Sequence, residues 1–309
     1  MMDNKKWGIV FCPKSGALRP KKRWQKVEDA LRENGIDYDH VQSETRDSVG
    51  RLVKMFINNG YRTIVIVGGD SAMNDAVNCL MQIETSEREQ IALGVIPNGL
   101  LNDFARFWGI HEDDEATTVK QLKALRTRKI DVGCIRYTNK NGEECRRYFL
   151  NCVNIGLVAT IMHLRRSTRH FLGSRVLSFI ASLLLLLFQR MEYAMKIRID
   201  SSTIDHKVMT MCVGNAHGYG QTPSAVPYNG MLDVSIVYQP KIMQIFGGFY
   251  LLVKGKILNH RSVHPYRARN IHVTEARHAM LSIDGRVADH AQTPFTINVE
   301  QEVLNFIIP

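Results

Sequence analysis

The side chains best suited to chemistry gather first around the stretch YRTIVIVGGDSAMNDAVNCL, residues 61–80. Ile64 to Val67 is a short β-branched run of the kind that forms a strand buried on both faces. Gly68-Gly69-Asp70 ends it, and Ala72, Ala76, Val77 and Leu80 then recur at helical spacing. A strand, a glycine turn and a helix aim backbone N–H groups and a positive dipole end at one point outside the sheet. Phosphate is the natural guest. A Gly-Gly pair can also do no more than relieve backbone strain. Asp70 reads either as a ligand-site carboxylate at the strand's carboxyl end or as an ordinary helix cap. Near the other end of the chain, Asp284 lies between Ile283 and Gly285. It reads either as a base that accepts a hydroxyl proton or as the Asp of an Asp-Gly turn. Lys14 and Arg19 are cations placed to meet phosphates, or solvated surface groups.

These groups need a scaffold, and the pattern supplies one in two parts. Strand-like runs at Trp7–Phe11, Tyr38–Val41, Ile64–Val67 and Ile91–Ile96 alternate with helical spacing. The helices carry Val27, Ala30 and Leu31, then Leu52, Val53 and Phe56, on their inner faces, and Asn102 to Trp108 starts another. That alternation over residues 1–128 predicts an α/β domain with a parallel sheet covered on both faces. A basic linker, RPKKR, is expected between the first strand and its helix. From 129 the pattern turns to closely spaced strands. IDVGCIRYT and RRYFLNCV form a hairpin about Asn141-Gly142. YAMKIRI, KVMTMCV, LDVSIVY, NIHVT, AMLSID and FTINVE follow, with helices at about 157–190 and 241–257. Residues 129–309 are therefore expected to be a β-rich, sandwich-like domain.

Composition excludes several classes. The chain has 309 residues, 45% hydrophobic and 23% charged, enough for one large or two ordinary domains. Six cysteines without a CxxC pair read as reduced core residues, not zinc ligands or a disulfide framework. The histidines show no HExxH spacing. MMDNKKW lacks the apolar core of a signal peptide. The longest apolar run, Leu177 to Phe188, is short of the roughly 20 residues that span a bilayer. A cytoplasmic protein is expected, peripheral to a membrane's inner face at most. The net charge of +10 calls for an anionic partner: nucleotide, nucleic acid or anionic lipid.

Four segments carry a resemblance over essentially the whole chain, and in family order. GGDSAMNDAVNCL resembles the GGDGTxNEVVNGL of the diacylglycerol kinase catalytic family, which includes bacterial lipid kinases and sphingosine kinases. IPNGLLNDFARFWGI, residues 96–110, is similar to its PxGTxNDFAR. FCPKSG is similar to its NPxSG, and IDGR to its DGE. The NDFAR segment separates this family from NAD kinases. The resemblance implies two domains with a cleft between them and a chain end returning to the first. It implies transfer of phosphate from ATP, with Mg2+, to a lipid hydroxyl such as that of diacylglycerol, and no nucleic-acid partner. By the same resemblance Gly68, Gly69, Asp70, Ser71, Asn74, Gly99, Asn102, Asp103, Lys14 and Ser15 bind the nucleotide. Asp70, Asp103 and Asp233 are then the magnesium carboxylates, and Asp284 is the general base. Gly214-Asn215 and Gly218 to Gly220 shape the cleft. An acid such as Asp103 at a helix start either binds through magnesium or complements the dipole. Homodimerisation is left open.

Departures from the family pattern support a second reading, a homologue that binds lipid or nucleotide without transfer. Ser71 and Ala72 stand where the family has Gly and Thr, Leu100 stands for the second Thr, and Cys12 replaces an Asn. Arg286 replaces the Glu of DGE, and Tyr228-Asn229 replaces an Asp pair before Asp233. Two lost hydroxyls at charged oxygens forfeit about 1.5–3 kcal/mol each. In residues 163–190, HLRRSTRHFLGSR precedes LSFIASLLLLLF. This reads either as a surface that docks on anionic lipid or as a solvated helix followed by a buried one.

Overall fold

The computed structural model of the chain describes residues 6–13, 20–45, 48–99, 101–112, 114–172, 192–238 and 242–309. The chain forms two compact units, Met1–Val132 with Gln301–Pro309, and Gly133–Glu300.

The first unit is built on parallel strands: β1 (Trp7–Phe11), β2 (Tyr38–Gln42), β3 (Thr63–Gly68) and β4 (Ala92–Pro97). Their order is β4-β3-β1-β2, with the end of the last strand, β15 (Gln292–Ile307), pairing parallel to β4 through Asn305 and Phe306. Every residue of β1 and β3 is buried. That is why these runs are continuously apolar rather than alternating. Helix α1 (Pro20–Glu33) begins at Pro20. The expected RPKKR linker is thus helical from its proline onward, since proline suits the first turn, where its missing N–H costs nothing. Val27, Ala30 and Leu31 face the core. Helix α2 (Ser48–Asn58) buries Leu52, Val53 and Phe56, and Gly8 leaves room for the Phe56 ring, which a Cβ would approach to 2.8 Å. Helix α3 (Asp70–Leu80) follows β3. The helices α4 (Thr85–Arg88), α5 (Asp103–Phe107) and α6 (Glu115–Lys123) complete the unit before the chain enters β5 (Thr127–Thr138). Because β2 and β3 lie on opposite sides of β1, the connections diverge there, and such a switch point is where open α/β sheets bind ligands.

The second unit is mostly antiparallel. β5 and β6 (Glu144–Phe149) form the expected hairpin, with Gly142 at φ 81° in the turn. Gly133 sits under the Phe149 ring, which a Cβ would meet at 2.1 Å. The run RRYFLNCV is not one strand: it breaks at Leu150-Asn151, and β7 (Cys152–Gly156) begins beyond. Helix α7 (Leu157–Leu172) follows, and then β8 (Tyr193–Ile199), whose buried and exposed residues alternate strictly. The long β9 (Ser202–Gly214) spends its first half against β8 and its second half between β7 and β10 (Leu232–Tyr238). One strand thereby joins two sets of partners, as in sandwiches whose strands switch sheets. Helix α8 (Ile242–Val253) leads to β11 (Val263–Ala268), β12 (Asn270–Ala276) and the short pair β13 (Leu281–Ile283) and β14 (Arg286–Ala288). Phe149, Met211, Val213, Val234, Phe295 and Ile297 are among the side chains of one shared core. A parallel-sheet α/β unit followed by a β-sandwich-like unit is the expected fold class.

Candidate functional site

In the first unit, parallel pairing of β3 and β4 puts Gly68 opposite Pro97, so the two glycine segments leave the sheet side by side. Asn98 N–H donates to Gly68 O at 2.8 Å, and its side-chain amide donates to Cys12 O at 3.2 Å, at the end of β1. The main chains of the two segments touch. A Cβ on Gly99 would lie 2.6 Å from Gly69 Cα, and one on Gly69 would lie 2.8 Å from Gly99 Cα. Asn102 takes a left-handed conformation, φ 50°, and turns back on this contact. Gly99 N–H donates to Asn102 Oδ1 at 2.8 Å, and Asn102 Nδ2 donates to Gly99 O at 3.1 Å. Asn is among the few non-glycine residues that accept that geometry readily.

Asp70 is a helix cap, but of the other helix. Asp103 N–H donates to its Oδ2 at 3.0 Å and Phe104 N–H to its Oδ1 at 3.1 Å. The carboxylate of the first segment thus satisfies the first turn of α5 in the second. Helix α3 itself starts from Gly69 with no side-chain cap, so the positive end of an eleven-residue helix is left for an anion. Behind the second segment, Arg23 Nη2 donates to Pro97 O at 2.8 Å, and its Nε lies 3.1 Å from Glu115 Oε1, a carboxylate that is 6% exposed. Nothing in the RPKKR spacing singled out Arg23. Burial pushes the Cys12 thiol up to about 11, so it is a neutral, unreactive group where the strand ends.

In the second unit, Asp284-Gly285 is the two-residue connection between β13 and β14, both residues at positive φ (44° and 77°). This is the turn geometry that an Asp-Gly pair favours. The side chain does more than turn the chain. Leu150 N–H donates to Oδ2 at 2.8 Å, and Asn151 and Cys152 N–H both donate to Oδ1 at 2.9 Å. Asp284 is 1% exposed. Its charge therefore rests on main-chain dipoles, and those donors explain the break between β6 and β7. Asn215, fully buried, donates from Nδ2 to Leu150 O at 3.1 Å. Gly218, Tyr219 and Gly220 all have positive φ, and a Cβ on Gly214 would lie 1.9 Å from Thr222 Oγ1. Buried Asn154 takes a bond from Gln221 Nε2 at 2.9 Å. These amides are a polar centre that the sequence reading did not find, beyond Asn215.

Two family descriptions account for nearly all of this. The Diacylglycerol kinase catalytic domain matches residues 6–135, and the YegS C-terminal NAD kinase beta sandwich-like domain matches residues 151–308. The chain belongs to the diacylglycerol kinase catalytic family. It is 22% identical over 281 residues to a diacylglycerol kinase of Bacillus subtilis, covering 90% of this chain and 88% of that one. With a diacylglycerol kinase of Staphylococcus carnosus it shares 21% identity, covering 96% and 92% of the two chains. A crystal structure titled as a diacylglycerol kinase from Bacillus anthracis has the same fold, with a TM-score of 0.68 at 18% identity, covering 99% and 97% of the two chains.

For a member of this lipid kinase family, the remaining expected residues divide clearly. Gly68, Gly69, Asp70, Gly99, Asn102 and Asp103 come together around the two segments. Ser71 is exposed beside them. Asn74 is buried in α3, where Asn78 Nδ2 donates to its Oδ1 at 3.2 Å. Lys14, Ser15, Arg19 and Leu100 lie outside the described residues, as do residues 173–191. Asp233, the third expected magnesium carboxylate, is engaged in an ion pair. Arg267 Nε and Nη2 stand 2.6 and 3.3 Å from its two oxygens, so a guanidinium already supplies the positive charge that a metal would bring. Among the described residues no group of three or more His, Cys, Asp or Glu could hold a metal ion. Mg2+ does not require such a cage, since one or two carboxylates, phosphate oxygens and water suffice. Asp70 fits that demand, because each of its oxygens accepts one N–H and keeps a second lone pair. No helix among the described residues is long and apolar enough to cross a membrane.

Proposed function

We propose that the chain transfers the γ-phosphate of ATP to the hydroxyl of a lipid such as diacylglycerol. The observation that carries this reading is the contact of Gly69 with Gly99, locked by Asn102 and by Asp70 on α5. Side chains are excluded there, so phosphate oxygens can approach the main chain of both segments. Bound ATP supplies the phosphoryl group, and Mg2+ offsets its charge. The chain's own residues do the rest. Gly68, Gly69, Gly99 and the uncapped α3 cradle the phosphates, Ser71 adds a hydroxyl, and Asp70 with Asp103 holds the metal. Asp284 orients the acceptor hydroxyl and takes its proton. Phosphoryl transfer passes through a loose transition state, so positioning and charge count for more than a strong base. A carboxylate fixed by three N–H donors suits that demand. A recess of about 280 Å³ beside β13 and β14, lined by Leu281, Val287 and Ala288 among others, is a place for apolar lipid atoms.

The test is transfer of labelled phosphate from ATP to diacylglycerol in mixed micelles with Mg2+. Phosphatidic acid is the expected product. ATP binding without transfer to diacylglycerol or other hydroxyl-bearing lipids would overturn this reading. It would favour the non-catalytic homologue instead, for which Ser71-Ala72 and Arg286 speak. On either reading an anionic membrane surface is the proposed neighbour.

A further inference from the structure

One buried polar side chain in the second unit has no hydrogen-bond partner among the described residues. Asn151 is 1% exposed, and among the described residues neither its Nδ2 nor its Oδ1 has a hydrogen-bond partner. Its main chain, by contrast, is fully engaged. Asn151 N–H donates to Asp284 Oδ1 at 2.9 Å, and Asn151 O accepts from Asn215 N–H at 2.9 Å and Ala216 N–H at 3.2 Å. The carboxamide is therefore held within one residue's reach of the Asp284 carboxylate, on a main chain fixed from two sides. Its neighbours Asn154 and Asn215 do find partners, through Gln221 and Leu150 O. Exchanging O and N of the amide does not help, because both atoms are left over. Buried polar groups are nearly always satisfied, and one that is not marks the place of a ligand or an ordered water.

The chemistry of the missing partner follows from the amide. Nδ2 needs an acceptor and Oδ1 needs a donor. A metal ion would serve only the oxygen, and a phosphate oxygen only the nitrogen. A hydroxylic oxygen serves both. We propose that Asn151 forms a subsite for one hydroxylic oxygen beside Asp284, held by water in the resting protein and by the acceptor's hydroxyl in the reacting complex. This rests on the reading of Asp284 as the acceptor-side carboxylate. The hydroxyl's one proton rests on Asn151 Oδ1 when the acceptor binds and passes to Asp284 as the oxygen takes up the phosphoryl group, while Nδ2 keeps hold of the oxygen. An acceptor without a free hydroxyl leaves the carboxamide unpaired, which is how such sites discriminate.

Crystal structures with and without a short-chain diacylglycerol, together with kinetics of Asn151→Leu, test this. The expected result is an oxygen within hydrogen-bonding distance of the carboxamide in the free protein, replaced by the acceptor's oxygen in the complex. Asn151→Leu should lower kcat/KM for the acceptor roughly ten- to a hundredfold, as expected for a lost bond to a buried polar group. It should leave the KM for ATP unchanged and the Tm equal or higher. No oxygen at the carboxamide in either structure overturns the inference. So does a water that stays when the acceptor binds, or a leucine variant within about twofold of the parent. Should Asn151→Leu not fold, Asn151→Ser is held to the same kinetic criteria, and the two structures decide independently. If the parent protein transfers no phosphate, the kinase reading fails, and the density at Asn151 still decides whether the subsite exists.

Discussion

Single carboxylates hold the fold together here and, on the proposed function, carry chemistry as well, and that shapes what their substitution should do. Asp284→Asn keeps the size but turns an NH2 toward at least one of the N–H groups of Leu150, Asn151 and Cys152. A loss of about 2–4 kcal/mol is expected, since a buried donor loses a charged acceptor. Turnover should vanish while ATP affinity stays, because the nucleotide segments belong to the other unit. Urea unfolding and calorimetry read the two effects separately, and a parallel fall in ATP affinity would make Asp284 purely structural. Cys12 gives a pH signature instead. Burial raises its thiol from 9.0 to about 11, so below about pH 9 its contribution to stability is fully present. As pH rises from about 9 to 11 the unfolded thiol ionises and the folded one does not, and stability falls by about 1.4 kcal/mol per pH unit. Stability curves of Cys12→Ala and the parent should converge over that window. Parallel curves would show that the thiol does not titrate there. Cys79 and Cys134 are raised by burial too, which is why the difference between the two proteins is the quantity to measure.

At the scale of elements, local periodicity was a good guide and long-range pairing was not. YAMKIRI and LDVSIVY coincide with β8 and β10 because their residue patterns follow burial on the sheet. RRYFLNCV reads as one strand, and partners far away in sequence hold its break: the carboxylate of Asp284, more than 130 residues on, and Asn215. Likewise, of the two readings of Asp70, a ligand-site carboxylate or a cap for its own helix, the second misses that it caps α5, 33 residues on. Spacing shows which residue types can act, but not which distant N–H they will meet. The site's glycine segments were legible because strand, glycine and helix are contiguous in sequence. Asn151 and Arg23 were not, since their significance lies in burial and in partners brought by the fold. The eroded phosphate segment yields a direct test. Ala72 is 6% exposed and packs over Gly68, whose Cβ would approach it to 2.8 Å, so a larger residue must aim its added atoms away from that contact. The triple variant Ser71→Gly, Ala72→Thr, Leu100→Thr should bind ATP more tightly by one to several orders of magnitude, because two hydroxyls return to charged oxygens. Isothermal calorimetry checks this, with Tm as the control for packing at Ala72. Tighter ATP binding with still no transfer is what the non-catalytic reading expects, because Arg286 remains. A folded triple variant with unchanged affinity would dismiss the idea that these residues weaken the site.

For the molecule as a whole, the surplus of 40 Lys and Arg over 30 Asp and Glu bears on where it works rather than how it folds. A lipid kinase must meet a substrate that resides in a bilayer, and an anionic surface attracts each nearby cation by about 1 kcal/mol. Arg165, Arg166, Arg169 and Arg175 are concentrated in one short stretch. The backbone of the first three belongs to α7, while Arg175 lies outside the described residues. Replacing all four by Gln removes about 4 kcal/mol of attraction if every one faces the membrane, or roughly three orders of magnitude in binding at low ionic strength. Vesicle sedimentation with anionic and neutral lipids at low and high salt measures this. The parent should bind anionic vesicles and release them as salt rises, because screening shortens the attraction to about 10 Å at 0.1 M. The variant should bind weakly throughout, so the gap between the two proteins narrows with salt. Phosphorylation of a short-chain, dispersed diacylglycerol should be unaffected by the substitutions, since that substrate needs no surface. Equal binding of both proteins to anionic vesicles at low salt would remove these arginines from membrane contact and leave the net charge to other faces of the molecule.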